Sequence, residues 1–472
     1  MGDSALPYVM PRIRDEGLEI RKYVNLLKAL HARRQRSSLC EHLPLDVTID
    51  MTTSCQLHCP HCAVGNGTIR RPVSVMKRDL FERILGDLGD TTFIAWYFST
   101  GEPLLNKNVG EFLATTKKQE IFSVISTNLS FPLSDDRIDQ LLQSGLGMLS
   151  VSLDGATAET YRRYRVGGDF ELVVDNLRRF IDRKRQLGLS APLIEWRFLR
   201  FGHNEHEEEL ARTLAREWGV DLLEFHPGSA PSQRSAGSIT TASRPMSGEA
   251  VEGPALDAGI AAVEAPMARA LAMKPMQFCA APAKAHGGTC DWLYYSTMIY
   301  PNGSVGPCCV SNDLVNDFSA LAPGVSFTSA WNDSKFRHAR RQFVDGTPSG
   351  TVCDRCPLPA AQTYQFTQKI RAILRIAPPW VLKILTEAPD QYLLPVDAQT
   401  MPHEIGLLLS PSSELRGEIE KPFPHIADAI ESTFPQDDFS KKLSARLRPA
   451  GEEGPRRWTL RNFFQKVCTS WG

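Results

Sequence analysis

The chain has 472 residues, 42% of them hydrophobic, enough for sizeable cores in two or three domains at roughly 100 to 200 residues each. Its 53 Lys and Arg against 54 Asp and Glu leave a formal charge of −1 and a pI near 6.8, so it lacks the global basic field that grips nucleic acid. No apolar run approaches the roughly 20 residues of a membrane span, and no secretory signal stands at Met1-Gly-Asp-Ser-Ala-Leu. Eleven cysteines in close sets then predict metal or redox chemistry in a reducing, cytoplasmic setting.

In chain order, residues 1–46 hold a basic helical stretch, Ile20 to Arg36, expected to cap the domain that begins at residue 47. β-branched alternation in Val47-Thr-Ile-Asp-Met51 predicts a strand, and Met51-Thr-Thr-Ser-Cys-Gln-Leu-His-Cys-Pro-His-Cys leads out of it. Three thiolates this close, Cys55, Cys59 and Cys62, suit three irons of a 4Fe-4S cube and leave the fourth open; a closed electron-transfer cube usually takes four cysteines. Zinc is the alternative, but structural zinc wants four closed ligands, and His58 and His61 lie inside the loop, where folding back is awkward. Strand-like runs recur near residues 47, 93, 121, 148, 192 and 221. Between them lie helical patterns at Val75 to Leu88, Asp135 to Gln143, Phe170 to Leu187 and Glu205 to Trp218. Over residues 47–227 these units predict an α/β fold, a partial (β/α)6 TIM-like barrel, whose site belongs at the C-terminal ends of the strands. Those ends carry Gly101 and Glu102 in Ser99-Thr-Gly-Glu-Pro103, Ser126 and Asn128 in Ser-Thr-Asn, and Ser152 and Asp154 in Ser-Leu-Asp. The serines, Asn128 and Asp154 also read as ordinary helix caps.

With Cys-x3-Cys-x2-Cys after the first strand and Gly-Glu-Pro after the second, the chain resembles the radical SAM family, Thr100 standing where that family's element has its first glycine. The resemblance implies a 4Fe-4S cluster on Cys55, Cys59 and Cys62 and bound S-adenosyl-L-methionine (SAM), its amino group at Gly101-Glu102. The SAM ribose or carboxylate would meet Ser126, Asn128, Ser152 and Asp154; Arg197, on the strand-like Leu193 to Phe198, would meet the carboxylate or form a barrel-edge salt bridge. It also implies an electron donor of flavodoxin or ferredoxin type and a 5′-deoxyadenosyl radical that takes hydrogen from an unactivated C–H.

Residues 228–277, rich in Ala, Ser and Pro, read as a linker or lid, with a short helix at Ala255 to Ala272. Over 278–360, Cys290, Cys308, Cys353 and Cys356 are spaced by 17, 44 and 2 residues and can saturate a second cube that relays electrons; zinc held by four cysteines is the alternative. The Thr297 to Val305 segment carries the Asn302-Gly303 turn of a hairpin. This arrangement resembles the twitch subclass of the SPASM extension, and Pro357-Leu-Pro-Ala-Ala-Gln adds no cysteine, so one auxiliary 4Fe-4S cluster is expected. Cys309 reads as packing, as an alternate ligand, or as a catalytic hydrogen-atom donor; Cys279 reads as a further ligand that the better-spaced set does not need, and Cys40 and Cys468 as buried structural or inert surface thiols. Residues 361–472 form a helical extension whose amphipathic start, near Phe366 to Leu385, predicts a Pro-broken helix pair on the barrel or contact with a membrane surface.

The expected function is that of a radical SAM oxidoreductase in natural-product biosynthesis. A single auxiliary cluster and the short N-terminal region favour dehydrogenation of a sugar or cyclitol intermediate. The alternatives are a maturase of a peptide or protein and an epimerase using Cys309; a non-enzymatic metal scaffold would require that SAM never be cleaved.

Overall fold

The computed structural model describes residues 10–228, 249–250, 290–308, 313–356, 369–370, 372–392 and 413–449. Six parallel strands lie in space as they do in sequence: β1 Asp46–Ile49, β2 Ile94–Trp96, β3 Phe122–Thr127, β4 Met148–Ser152, β5 Leu193–Arg200 and β6 Leu222–Pro227. The crossovers are α2 Arg78–Leu88, α3 Val109–Lys118, α4 Asp135–Gln143, the pair α5 Ala158–Tyr164 and α6 Phe170–Gln186, and α7 Glu208–Trp218. The sheet does not close, as a partial barrel requires. On one edge β7 Glu249–Ala250 pairs antiparallel with β6. On the other, β8 Ser296–Ile299 pairs parallel with β1, then turns through Asn302-Gly303 into β9 Ser304–Gly306 and on to β10 Ser319–Ala320. The auxiliary segment therefore continues the barrel's own sheet.

Local chemistry sets the boundaries. Ser134 and Asp169 cap α4 and α6 by accepting from Arg137 N and Leu172 N, both at 3.2 Å. The helix expected from Val75 starts only at Arg78, because Val75 bridges Thr52 and Met76 N donates to Met51 O, spending both residues on the base of the cysteine loop. Glu205–Glu207 is a 3-10 turn before α7, and Glu207 accepts from Ala156 N at 2.7 Å. On β5, Ile194, Trp196 and Phe198 face the helices, with Trp196 stacked on Trp218 at 5.2 Å. Side chains alternate along a strand, so Glu195, Arg197 and Leu199 face the barrel interior. By register, Ser150 and Ser152 on β4 and Glu224 and His226 on β6 join them.

α1 Glu16–Gln35 begins four residues before the expected Ile20, since Asp15 accepts from Leu18 N at 2.7 Å. It is buried nearly all round because the C-terminal extension covers its outer side. Helix Pro379–Glu387 buries Trp380, Val381, Ile384 and Leu385, and Trp380 meets Tyr23 edge-on at 6.3 Å. The amphipathic stripe is thus core, and no described helix is long and apolar enough to cross a membrane. Trp380→Ala is expected to lower stability by about 3–5 kcal/mol, read by chemical denaturation; a change under about 1 kcal/mol would show that the extension does not brace α1.

Candidate active site

Cys55, Cys59 and Cys62 lie in the loop that leaves β1, which is stapled at its base by Thr53 N to Ser74 O (3.0 Å) and Thr53 Oγ1 to Pro72 O (3.0 Å). Gly65 folds over the loop so closely that a Cβ there would lie 2.5 Å from Cys59 N. The Gly-Glu-Pro turn presses on the same loop: a Cβ at Gly101 would sit 2.3 Å from Thr52 O, and Glu102 N donates to Ser54 O at 2.8 Å. Thr100, in place of a glycine, donates its hydroxyl to Asp50, a carboxylate that burial pushes up to about 6.

Glu102 is buried and accepts from Leu104 N (3.1 Å), Thr127 Oγ1 (2.7 Å) and Asn128 N (2.8 Å), tying the ends of β2 and β3 together. Burial outweighs these donors and raises its carboxyl to about 7. The Asn128 side chain turns to the cysteine loop, with Nδ2 3.6 Å from Cys55 Sγ and Oδ1 accepting from Gln56 Nε2 (2.8 Å) and Ser130 N (2.9 Å). Asp154 is fully buried, its Oδ1 taking Leu199 N (2.8 Å) and its Oδ2 taking Arg165 Nε (2.6 Å). Each of its oxygens therefore has one donor from the protein itself. Ser126 and Ser152 place their hydroxyls 3.4 Å apart across β3 and β4. Arg197 lies on the interior face, its Nη2 3.3 Å from Glu195 Oε2 and its Nε without a partner.

Beyond these, Leu57, Cys59 and Tyr164 form a small buried cluster with Cys55, Cys62, Leu199 and Phe201 packed on it. The His61 ring stands 5.8 Å from Tyr164 and 5.9 Å from Phe201, so it is a wall of this cluster. Arg165 is largely buried, with its guanidinium 5.3 Å from the Tyr164 ring. Sequence reasoning missed Arg165, which stands among the arginines of Arg162-Arg163-Tyr-Arg165 with nothing to mark it out.

The second cysteine set rests on buried ion pairs. Arg33 clasps Asp291 through Nε (2.5 Å) and Nη2 (3.1 Å), fixing the residue next to Cys290. Arg71, from the first cysteine loop, donates to Asp317 (2.9 Å) and to Ser304 Oγ (3.1 Å) on β9, which leads to Cys308. Asp354 accepts from Ser349 N and Gly350 N, both at 2.8 Å, shaping the turn that presents Cys353 and Cys356. Burial first, then Cys353, Asp291 and Cys356, raise the Cys290 thiol. Cys279, Cys309, Cys468 and the Ala255 to Ala272 stretch lie outside the described residues.

Both donor sets fit iron–sulfur clusters. None of the eight described cysteines is in a disulfide, and the first set adds amide donors to sulfur at Leu57 N (3.5 Å) and Asn128 Nδ2 (3.6 Å). Zinc would draw its four thiolates to about 3.8 Å apart, on a tetrahedron with bonds of about 2.3 Å. Among the described residues the one group of three or more His, Cys, Asp or Glu side chains with ligand atoms all within 4.8 Å of one another is Glu195, Glu224 and His226. That trio is accounted for by its own contacts, Arg197 to Glu195 (3.3 Å) and His226 to Glu224 (3.0 Å).

Residues 49–214 match the Radical SAM superfamily and residues 290–357 match SPASM, an iron-sulfur cluster-binding domain. Fold and site together define a radical SAM enzyme with a SPASM-type auxiliary domain, whose cofactors are SAM, a SAM-binding 4Fe-4S cluster and an auxiliary iron–sulfur cluster. Among curated proteins it is similar to the PqqA peptide cyclase of Rhodopseudomonas palustris, 23% identical over 307 residues, covering 62% of this chain and 74% of that one. It is also similar to the PqqA peptide cyclase of Xanthomonas campestris pv. campestris, 25% identical over 327 residues, covering 66% and 79%. Among solved structures it is similar to Streptococcus suis SuiB bound to precursor peptide SuiA, at TM-score 0.45 and 14% identity, over 64% of this chain and 68% of that chain.

Changing Cys353 and Cys356 to alanine is expected to lower iron from about eight to about four per chain after anaerobic reconstitution, by the count of two cubes. Stoichiometric zinc retained at this site in the unmodified protein would overturn the second cluster.

Proposed function

We propose that this enzyme modifies a peptide substrate by radical chemistry, the alternative that the sequence reading placed second. The supporting observation is that the two PqqA peptide cyclases align over 74% and 79% of their own lengths. Oxidation of a sugar or cyclitol, placed first on the single auxiliary cluster and the short N-terminal region, becomes the competing outcome of the test.

When bound, the cluster and SAM supply a 5′-deoxyadenosyl radical able to take a hydrogen atom from a C–H bond. The protein's residues bind, orient and shield. Cys55, Cys59 and Cys62 would hold three irons, and Glu102 Oε2, which accepts from Asn128 N, keeps acceptor capacity for the SAM ammonium. Arg197 Nε and the Ser152 hydroxyl offer donors from the interior face for the SAM carboxylate or ribose. Asn128 contributes by holding the cysteine loop. Tyr164, Phe201 and His61 exclude water beside the cysteines. Cys290, Cys308, Cys353 and Cys356 would hold the auxiliary cluster, which would supply electron-transfer chemistry.

The test is anaerobic turnover of reconstituted enzyme with SAM, a flavodoxin or dithionite, and short peptides encoded beside its gene, compared with a panel of aminocyclitols and sugars. A peptide product two mass units lighter, formed one-to-one with 5′-deoxyadenosine, is expected. Coupled turnover of a cyclitol and none of any peptide would overturn the reading. A product of unchanged oxidation state, lost in Cys309→Ala, would instead assign that thiol as a hydrogen donor.

A further inference from the structure

We infer that Arg165, oriented by Asp154, sets the reduction potential of the cluster held by Cys59. Four observations carry this. Arg165 follows α5 and is largely withdrawn from water, its guanidinium 5.3 Å from the ring of Tyr164, which packs with Cys59 in one buried cluster. Its Nε is committed to Asp154 Oδ2 at 2.6 Å. Asp154 is itself fixed, since Leu199 N donates to its Oδ1 at 2.8 Å and its carbonyl accepts from Asn204 Nδ2 at 2.9 Å. The same segment grips the loop a second time, His58 N donating to Val166 O at 2.8 Å. The guanidinium is therefore held at one place among the side chains around Cys59, with the Asp154 carboxylate bonded to it.

A cluster on three thiolates becomes more negative by one charge on reduction, and hydrogen bonds and charges near its sulfurs set how readily it does so. A cation fixed at Cys59 favours the reduced form, and the carboxylate behind it partly cancels that field. Removing the two charges must then move the potential in opposite directions, which simple bracing of the loop would not do.

The experiment uses the full-length, anaerobically reconstituted enzyme without SAM, poised at a series of potentials and read by EPR. The first cluster is identified as the component whose line shape changes when SAM is added. At the midpoint of the unmodified protein, Arg165→Gln is expected to lower the ratio of reduced to oxidised cluster at least tenfold, about 59 mV for one electron. Asp154→Asn is expected to raise that ratio, and Arg165→Lys to stay within about twofold. Shifts of the same sign in Arg165→Gln and Asp154→Asn, or shifts under about twofold in both, would overturn the inference. If Arg165→Gln fails to retain its irons, Asp154→Asn decides, and a ratio at or below that of the unmodified enzyme overturns it.

Discussion

Replacing Cys55, Cys59 and Cys62 together with alanine is expected to halve the iron content, from about eight to about four per chain, and to abolish formation of 5′-deoxyadenosine. The loop should survive the change. Its base is closed by the Thr52 to Val75 bridge and by Thr53, and its packing against Gly101 is made by backbone, so none of these contacts uses a sulfur. Circular dichroism and thermal unfolding should therefore stay close to those of the unmodified apoprotein. Iron remaining at about eight, or 5′-deoxyadenosine still formed under strong reductant, would remove these cysteines from the site.

A second large effect is expected at Glu102. In the proposed site its carboxylate would meet the SAM ammonium in a charge-assisted contact worth about 1.5–3 kcal/mol, so Glu102→Ala should weaken SAM binding roughly ten- to hundredfold. The pH dependence has a definite sign. Burial raises this carboxyl from 4.5 to about 7, so the folded protein keeps a proton that the unfolded chain releases, and its contribution to stability is lost as pH rises through about 7. An ammonium partner relieves the cost of the charged form. SAM affinity should accordingly climb from pH 6 to about 7, then fall above the α-amino range of about 7.7–8.0. Isothermal titration of the reconstituted enzyme across this range checks it, and Glu102→Gln should lose the acidic limb. An affinity unchanged in Glu102→Ala would show that the carboxylate serves only to join β2 and β3.

Much of this was legible in the sequence, for identifiable reasons. β-branched runs and helical spacing are local, so the strands near residues 47, 93, 121, 148, 192 and 221 emerge within a few residues of their places. The cysteine spacing and Gly-Glu-Pro are legible because each demand is local, and Gly101 shows the steric reason for one of them. What was not legible depends on which groups are already engaged. Asp154 ends β4 as a SAM-facing residue would, yet Leu199 from β5 and Arg165 from beyond α5 take its oxygens. Asn128 likewise spends its amide on Gln56, Ser130 and Cys55. The pairing of β8 with β1 joins residues 250 positions apart, as in Asp46 with Ser296, and no window of sequence contains both.

That pairing also governs how the chain can be born and cut. Until residues 296–299 have left the ribosome, Asp46–Ile49 is a bare sheet edge whose N–H and C=O groups invite any passing strand. Closing so long a loop is slow, and the nascent barrel stays open to aggregation while it waits. A chain ending at residue 228 would hold every thiol of the first cluster and still keep that sticky edge, so the auxiliary segment serves the barrel as its cover strand as well as carrying a cluster of its own.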